Sequence, residues 1–205
     1  MNKNLVQIMY KKHYIPEKYW NYSFSDFLIL PMYNEFYQEI THKIQTYIDK
    51  QLNTKGFGIL LTGPFRSGKT TLAVAIAKYF MKVNKVMPYF ISNYLLYSIY
   101  FGKEDISFND LIQHDFIILD DIGREHKNKD FAGNVLEDFL RERINRNLGT
   151  VITTNLTMGE IKETYGTAFY SLINEMFCLQ ISMKEIRDGF VKLNKNIYQK
   201  EGGVL

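Results

Sequence analysis

Eight residues from Gly63 to Thr70 carry the clearest chemistry in the sequence. They read Gly63-Pro64-Phe65-Arg66-Ser67-Gly68-Lys69-Thr70 and fit the pattern G-x-x-x-x-G-K-[ST] without deviation. The glycines in this pattern let backbone N–H groups point at phosphate oxygens, where the N-terminus of the following helix adds favourable partial charge. We expect Lys69 to bind the β- and γ-phosphates of a nucleotide and the Thr70 hydroxyl to hold Mg²⁺. Thr71 completes the predicted nucleotide-binding set.

A pair of carboxylates provides the second part of such a site. Asp120 and Asp121 follow the apolar run Phe116-Ile117-Ile118-Leu119, which is typical of a buried strand. We expect Asp120 to bind Mg²⁺ through water and Asp121 to orient or deprotonate an attacking water molecule. The alternative is a solvated strand end without a role in chemistry.

Whether the nucleotide carries adenine or guanine is a separate question, because Asp120 to Gly123 also fits the D-x-x-G motif of GTPases. A guanine-specific site would need N-K-x-D after a later strand. Asn128-Lys129-Asp130 has the wrong spacing, and the later strand ends in Thr153-Thr154-Asn155 instead. A polar residue at that place can reach the γ-phosphate or its water, so Asn155 is a candidate sensor and ATP is favoured over GTP.

Strand and helix patterns alternate around these residues. The predicted strands cover residues 57–62, 86–91, 115–119 and 150–154, with a possible edge strand at 177–181. The predicted helices cover 69–82, 131–146 and 158–165, preceded by an amphipathic helix at about 32–52. Alternation of this kind predicts a parallel sheet covered by helices on both faces.

Composition limits the class of protein. A chain of 205 residues fits one domain of ordinary size. The formal charge of +3 and the charged fraction of 23% exclude a polybasic nucleic-acid coat and a disordered acidic tail. The single cysteine, Cys178, lies in an apolar run that predicts a buried, inert thiol. No stretch has the length needed to cross a bilayer, so we expect a cytoplasmic protein without membrane contact.

Taken together, these residues resemble the DnaC/IstB group of AAA+ ATPases, which includes bacterial and phage helicase loaders and transposition helpers. The resemblance spans about residues 15–190 and also rests on Ile15-Pro16-Glu17-Lys18-Tyr19-Trp20, Arg143-Ile144-Asn145 and the strand ending in Asn155-Leu156. It implies an α/β fold of the P-loop NTPase, AAA+ type: a three-layer α/β/α core with a parallel five-stranded sheet. ATP and Mg²⁺ are the implied cofactors.

The resemblance also implies roles for single residues. Asp120 and Asp121 match the Walker B pair, and Asn155 matches sensor 1. Arg187 matches the sensor 2 arginine, whose forked guanidinium can hold negative charge developing on a γ-phosphate. Leu172, however, stands where loaders of the group usually carry an arginine finger. Arg141, Arg143 and Arg146, at the end of a predicted helix beside the site, would then substitute for that finger or only solvate the helix.

The group contacts single-stranded DNA through a helix between the second strand and the Walker B strand. The matching stretch, residues 93–114, contains five aromatic rings but a single lysine, Lys103. Without cationic neighbours these rings lack the phosphate contribution to DNA binding, and core packing is the predicted role for most of them. The rings belong to Tyr94, Tyr97, Tyr100, Phe101 and Phe108.

The predicted organisation is an irregular amino-terminal arm at 1–25, an AAA+ ATPase domain at 26–190 and a basic carboxyl-terminal tail at 191–205. The predicted function is a Mg-ATP-dependent loader, phage-like or plasmid-like, that places a DnaB-type replicative helicase on single-stranded DNA. The active assembly would be a homo-oligomer with slow hydrolysis, and the arm would grip the helicase. Two alternatives stay open: a protein that captures or blocks a host replication factor, and an IstB-like transposition helper. A small-molecule kinase would need an arginine-rich lid, for which the sequence offers no convincing candidate.

Overall fold

A five-stranded parallel sheet forms the centre of the protein in a computed structural model, which describes residues 3–23, 34–51, 58–123 and 129–181. The strands are β1 (Gly58–Thr62), β2 (Tyr89–Ser92), β3 (Phe116–Ile122), β4 (Gly149–Thr154) and β5 (Phe177–Gln180). Their order across the sheet is β2-β3-β4-β1-β5, and every neighbouring pair is parallel. The predicted parallel sheet of five strands is therefore confirmed, including the edge position of β5.

Helices connect these strands. They are α1 (Lys3–Lys12), α2 (Asn34–Gln51), α3 (Lys69–Asn84), α4 (Asn93–Tyr100), α5 (Phe108–Ile112), α6 (Lys129–Asn145) and α7 (Met158–Asn174). A 3₁₀ turn, Glu17–Tyr19, follows α1. Among the helices described, none is long and apolar enough to cross a membrane.

Two apolar layers cover the two faces of the sheet. Alternation along β1 sends Ile59 and Leu61 into the layer under α2 and α3, while Leu60 faces the opposite layer under α4 to α7. Strands β1 to β4 are largely buried on both faces, because parallel strands between two helix layers have no solvated side. The edge strand β5 is partly exposed. This arrangement confirms the predicted three-layer α/β/α core.

Register brings the carboxyl ends of the strands to one edge. Thr62 at the end of β1 pairs with Thr154 at the end of β4, and Ser92 at the end of β2 pairs with Asp120. The loops that follow β1, β3 and β4 therefore meet at the same edge of the sheet. In open α/β sheets this edge is where ligands bind.

The amino-terminal segment differs from the predicted irregular arm, because Lys3–Lys12 is helical. Tyr10 and Ile15 are buried in the layer over α3, and Val6 packs against the same layer. The backbone N–H of Phe90 in β2 also donates to the carbonyl of His13 at 3.0 Å. Only one turn-spaced pair, Val6 and Tyr10, faces the core, and this is too short a pattern to stand out in sequence.

Two predicted boundaries also differ. The second strand begins at Tyr89, and the third runs on to Ile122 through an irregularity in its pairing with β4. The predicted helix end near Tyr165 agrees with the structure, because Gly166, with φ 84° and ψ 176°, interrupts α7 with a non-helical backbone before a second helical segment continues to Asn174. Glycine adopts this left-handed conformation without the steric cost that a Cβ brings.

The predicted buried thiol is wrong, since Cys178 is exposed on the edge strand β5. Its side chain is still partly desolvated, and this burial raises the pKa of the thiol. A raised pKa keeps the sulfur protonated at neutral pH, so the prediction of an unreactive thiol agrees with this environment.

The aromatic stretch is less buried than predicted. Tyr94, Phe101 and Tyr100 expose 80%, 57% and 39% of their surface, so core packing is wrong for most of its five rings. The contacts between α4 and the sheet come from aliphatic residues instead, with Leu96 and Ile99 buried. Because these aliphatic residues occupy the inward face of the short helix, Tyr94 and Tyr100 are left exposed, while Tyr97 is partly buried against the core.

The three arginines near the end of α6 lie away from the carboxyl edge of the sheet. Arg143 is fully buried and donates to the carbonyls of His114 and Gly149, which stand at the amino ends of β3 and β4. Arg141 pairs with Glu137 and Arg146 with Glu142 as i,i+4 surface pairs. Their predicted place beside the site is wrong, because α6 begins at the site edge and ends at the opposite one.

A histidine pair joins the amino-terminal segment to the core. The rings of His13 and His114 lie 5.6 Å apart, and both contact the ring of Tyr89. Burial lowers the pKa of both imidazoles; His114 and Lys12 lower that of His13 further, and Arg143 lowers that of His114. Asp115 acts in the opposite direction on His114.

We expect the folded protein to lose stability as pH falls below about 6.5. In that range the unfolded chain binds protons that the folded imidazoles, with their lower pKa values, do not. Urea unfolding at about pH 7.5 and about pH 5.5 measures the loss, and His13→Gln with His114→Gln should remove much of it. His42→Gln, at an exposed position of α2, is the matched control. An unchanged pH dependence in the double variant would contradict this account.

Candidate nucleotide-binding site

The loop between β1 and α3 takes a conformation that its glycines make possible. Gly63 and Gly68 have φ of 147° and 85°, and Arg66 between them has φ 65°. A Cβ on Gly63 would lie 2.2 Å from the carbonyl oxygen of Ile181, which is closer than any side chain tolerates. The loop therefore needs glycine at position 63 for space and at position 68 for backbone conformation.

Lys69 occupies the inside of this loop. Its buried amine donates to the carbonyls of Gly63 at 2.9 Å and Pro64 at 2.7 Å, and to the Ser67 hydroxyl at 3.3 Å. It also donates to Asn155 Oδ1 at 2.8 Å, which links the loop to the end of β4. The charge is thus placed before any ligand arrives, and phosphate oxygens can replace these neutral acceptors.

Asp120 forms a polar cluster with two threonines. Thr153 Oγ1 donates to Asp120 Oδ1 at 2.7 Å, and the Thr70 hydroxyl hydrogen-bonds to the same carboxyl. Burial raises the pKa of Asp120, while these hydrogen bonds, the weaker influences, lower it. A nearby cation would favour the charged form further.

This cluster fits a magnesium ion. In the described part of the chain no three His, Cys, Asp or Glu side chains gather as a metal site. Mg²⁺ at nucleotide sites needs only one or two protein oxygens, because waters and phosphates supply the rest. Asp120 and Thr70 would be those residues, and a bound ion would neutralise charge on the phosphates.

Asp121 has a backbone that turns its carboxylate toward Asn155. Its φ is 63°, in the left-handed region, at the irregularity of β3. Its N–H donates to Thr153 Oγ1 at 2.9 Å, and its Oδ1 accepts from Asn155 Nδ2 at 2.9 Å. Asn155 therefore bridges Lys69 and Asp121. Three residues predicted from separate motifs form one hydrogen-bonded chain.

Thr153 is a site residue that the sequence analysis missed. It contacts both carboxylate residues, through the Asp120 side chain and the Asp121 N–H. A threonine at the end of a buried strand, two residues before the candidate sensor, was the available signal. Threonine is so common in strands that this position alone predicts nothing.

A cavity of about 680 Å³ lies over these residues, within the range of roughly 300–1,000 Å³ that ligand pockets occupy. The loop and helix residues 65–71 line it together with Asp121, Thr153 and Asn155. Lys18, Tyr19 and Tyr22 of the amino-terminal segment line it as well, and the sequence analysis did not predict them. Phe65 and Arg66 are exposed at its rim.

Arg187 and Leu172 are the two remaining positions that the sequence analysis discussed. Arg187 lies outside the described residues, as do the tail at 191–205 and residues 24 and 25 of the arm. Leu172 is buried between the helices and the sheet, in the same apolar layer as Phe169 and Ile173. A side chain at this position points into the core, so it is not available to a neighbouring subunit.

The fold and the site define a P-loop ATP-binding protein of the AAA+ class. The phosphate loop follows β1, the acidic pair lies near the end of β3, and Asn155 follows the strand that lies between them in the sheet. The chain belongs to the IstB-like ATP binding protein family, whose model matches residues 38–173. The predicted DnaC/IstB-like membership is thereby confirmed.

Solved structures share the fold at low sequence identity. The DnaC helicase loader matches with TM-score 0.66 and 23% identity over 82% of this chain and 100% of that one. DnaI matches with TM-score 0.61 and 21% identity over 83% and 93%. Domain III of the Thermotoga maritima replication initiation protein DnaA matches with TM-score 0.58 and 14% identity over 93% and 77%. Curated proteins gave no significant sequence match.

Proposed function

We propose that this protein is a Mg-ATP-dependent loader that assembles on a DnaB-type replicative helicase and helps to place it on single-stranded DNA. The observation that carries the proposal is the connected chain Lys69–Asn155–Asp121 in a fold that spans the whole of the DnaC helicase loader. Such a chain couples the residue that binds phosphate to the residue that would position water.

The site supports ATP binding more strongly than fast turnover. We propose that Asp121 orients the attacking water, that Asn155 senses the γ-phosphate, and that Arg187 acts as a second sensor. The core position of Leu172 leaves the usual place of an arginine finger without a cation. An arginine finger contributes several orders of magnitude to hydrolysis in related P-loop enzymes. Slow hydrolysis would then reset the homo-oligomeric assembly after ATP has promoted it.

Helix α1 offers the surface for the helicase. Leu5 and Ile8 expose 54% and 63% of their surface, one turn apart on the side away from the core. Lys11 and Lys12 are exposed beside them at the end of the helix. An apolar pair next to two positive charges suits a partner surface that is apolar with acidic residues at its rim.

Helix α4 and the turn after it offer a surface for single-stranded DNA. The exposed rings of Tyr94, Tyr100 and Phe101 can stack on bases, which is worth roughly 1–3 kcal/mol for each base. The Lys103 amine lies 5.8 Å from the centre of the Phe101 ring and adds one charge for phosphate. The exposure of these rings supports a DNA contact that the sequence analysis had disfavoured.

The experiment combines helicase capture with helicase loading. The full chain should bind the DnaB-type helicase of its host and increase ATP-dependent loading on single-stranded DNA. Leu5→Asp with Ile8→Asp should abolish capture, whereas Gln7→Asp, an exposed position between them, should not. A chain that captures no helicase and leaves loading unchanged would exclude the proposal.

A second candidate function for the same fold is that of an interaction protein instead of a helicase loader. A protein that captures or blocks a replication factor would need little hydrolysis, and the burial of Leu172 favours that possibility. Capture of a transposase instead of a helicase would favour an IstB-like transposition helper.

A further inference from the structure

Part of the nucleotide cavity is built by the segment after α1, although this segment is remote in sequence from the phosphate loop. Lys18, Tyr19 and Tyr22 line the same cavity as Lys69 and Thr70. The segment turns into the cavity through the 3₁₀ turn Glu17–Tyr19. A ligand that fills the cavity therefore contacts two separate parts of the chain.

Lys78 of α3 holds this segment in place. Its amine donates to the carbonyl of Tyr22 at 2.7 Å, to that of Tyr19 at 3.3 Å, and to that of Trp20. Trp20 Nε1 in turn donates to the carbonyl of Ile15 at 2.8 Å. Three carbonyls converging on one ammonium group fix the backbone on either side of the cavity lining. Helix α3 begins at Lys69, so one helix carries both the phosphate lysine and this anchor.

Lys18 places a positive charge in the cavity. Its amine lies 4.8 Å from the centre of the Tyr19 ring, and the residue lines the cavity together with Lys69 and Thr70. Lys18 and Lys69 therefore bring positive charge to the same cavity from two separate parts of the chain. A triphosphate carries several negative charges, and Lys69 is one residue among those that must balance them.

We propose that Lys18 binds the phosphate chain of the nucleotide from the amino-terminal segment, and that Lys78 is the residue that positions it. Docking of the segment and binding of the nucleotide are then thermodynamically linked. Docking increases the affinity for the nucleotide by the same factor by which the bound nucleotide favours the docked segment. The segment is continuous with α1. The proposal rests on ATP binding at this site and is independent of helicase loading.

The first test measures nucleotide affinity by calorimetry. Lys18→Ala should weaken ATP binding by about tenfold at low salt, the scale of one charge-assisted hydrogen bond that is partly screened. The binding of adenosine, which has no phosphate, should not change, and Lys18→Arg should restore most of the ATP affinity. Lys50→Ala, an exposed lysine of α2 away from the cavity, is the control.

The second test separates positioning from contact. Lys78→Met should also weaken ATP binding, and it should remove the ATP-dependent protection of residues 13–22 from hydrogen exchange. Lys82→Met, one turn further along α3 and exposed, should do neither. The full chain is used throughout.

Two outcomes would overturn the proposal. Wild-type ATP affinity in Lys18→Ala would show that its amine contacts no phosphate. An equal loss for ATP and adenosine would show that the substitution only damages the cavity. Either result leaves helicase capture by α1 untouched, so failure here is distinguishable from failure of the proposed function.

Discussion

Lys69→Ala is expected to lower the affinity for ATP by about 100-fold or more, which corresponds to ~3 kcal/mol. The amine is buried and has four acceptors in place, Gly63, Pro64, Ser67 and Asn155. Alanine removes the charge that phosphate oxygens would meet and leaves these acceptors without their donor. Titration with a fluorescent ATP analogue measures the change.

Asp121→Asn provides the contrast that makes this result interpretable. In the hydrogen-bonded chain Lys69–Asn155–Asp121, the Asp121 carboxylate contacts Asn155 and lies at the end away from the phosphate loop. ATP should therefore still bind in Asp121→Asn, while hydrolysis falls. Lys82→Ala, on an exposed part of α3, should change neither quantity. If Lys69→Ala bound ATP as tightly as the wild type, the assignment of the loop as the phosphate site would have to be abandoned.

Lys69→Ala also separates the two candidate functions, helicase loading and capture or blocking of a replication factor. A loader that uses ATP as a switch should lose helicase loading together with ATP binding when Lys69 is replaced. A protein that only captures or blocks its partner should keep its affinity for that partner. Leu5 and Ile8 are exposed on α1 and do not line the nucleotide cavity, so the substitution changes no residue of the surface that would bind the helicase.

The centre of the site could be predicted from sequence because its chemistry is tied to short segments. Gly63 to Thr70 needs only a strand before it and a helix after it, and both were visible as apolar patterns. Asp120 lies near the end of one buried strand, and Asn155 directly follows another. Parallel pairing then brings the strand ends together, whatever the details of the helices.

The rest of the site could not be predicted, because it depends on contacts between distant segments. Lys18 lies at the cavity on a segment whose backbone carbonyls are bound by Lys78, sixty residues later. That contact is made to backbone carbonyl groups, which every residue has, so no pattern of side chains in the sequence predicts it. The role of Thr153 could not be predicted for a similar reason. Its hydroxyl accepts a hydrogen bond from the backbone N–H of Asp121, a residue with left-handed backbone conformation.

The predicted position of Arg143 beside the site was wrong for a related reason. Arginine near a helix end usually lies in solvent or interacts with the last carbonyls of its own helix, and nothing in the residues around Arg143 predicts burial. In the folded chain it joins the turns before β3 and β4, with acceptors at Thr150, Ile112, His114 and Gly149. Burial lowers its pKa to about 9, which still leaves the guanidinium charged at neutral pH.

Arg143→Met is expected to lower the free energy of unfolding by about 3–5 kcal/mol, the range seen when one member of a buried polar group is removed. The apolar replacement fills part of the volume but leaves three carbonyls and a hydroxyl without a donor. Arg143→Lys should recover only a part, because an ammonium group cannot reproduce the planar fork that reaches four acceptors. Urea unfolding at pH 7.5 measures both.

The matched control is Arg146→Met, directly after the same helix, where an exposed pair with Glu142 contributes about 0–1 kcal/mol. The difference between the two variants isolates burial and hydrogen bonding from the loss of a charge. A loss below about 1 kcal/mol in Arg143→Met would mean that the turns before β3 and β4 hold without the guanidinium. ATP affinity gives the second readout: the site lies at the opposite edge of the sheet, so the folded variant should bind ATP as the wild type does.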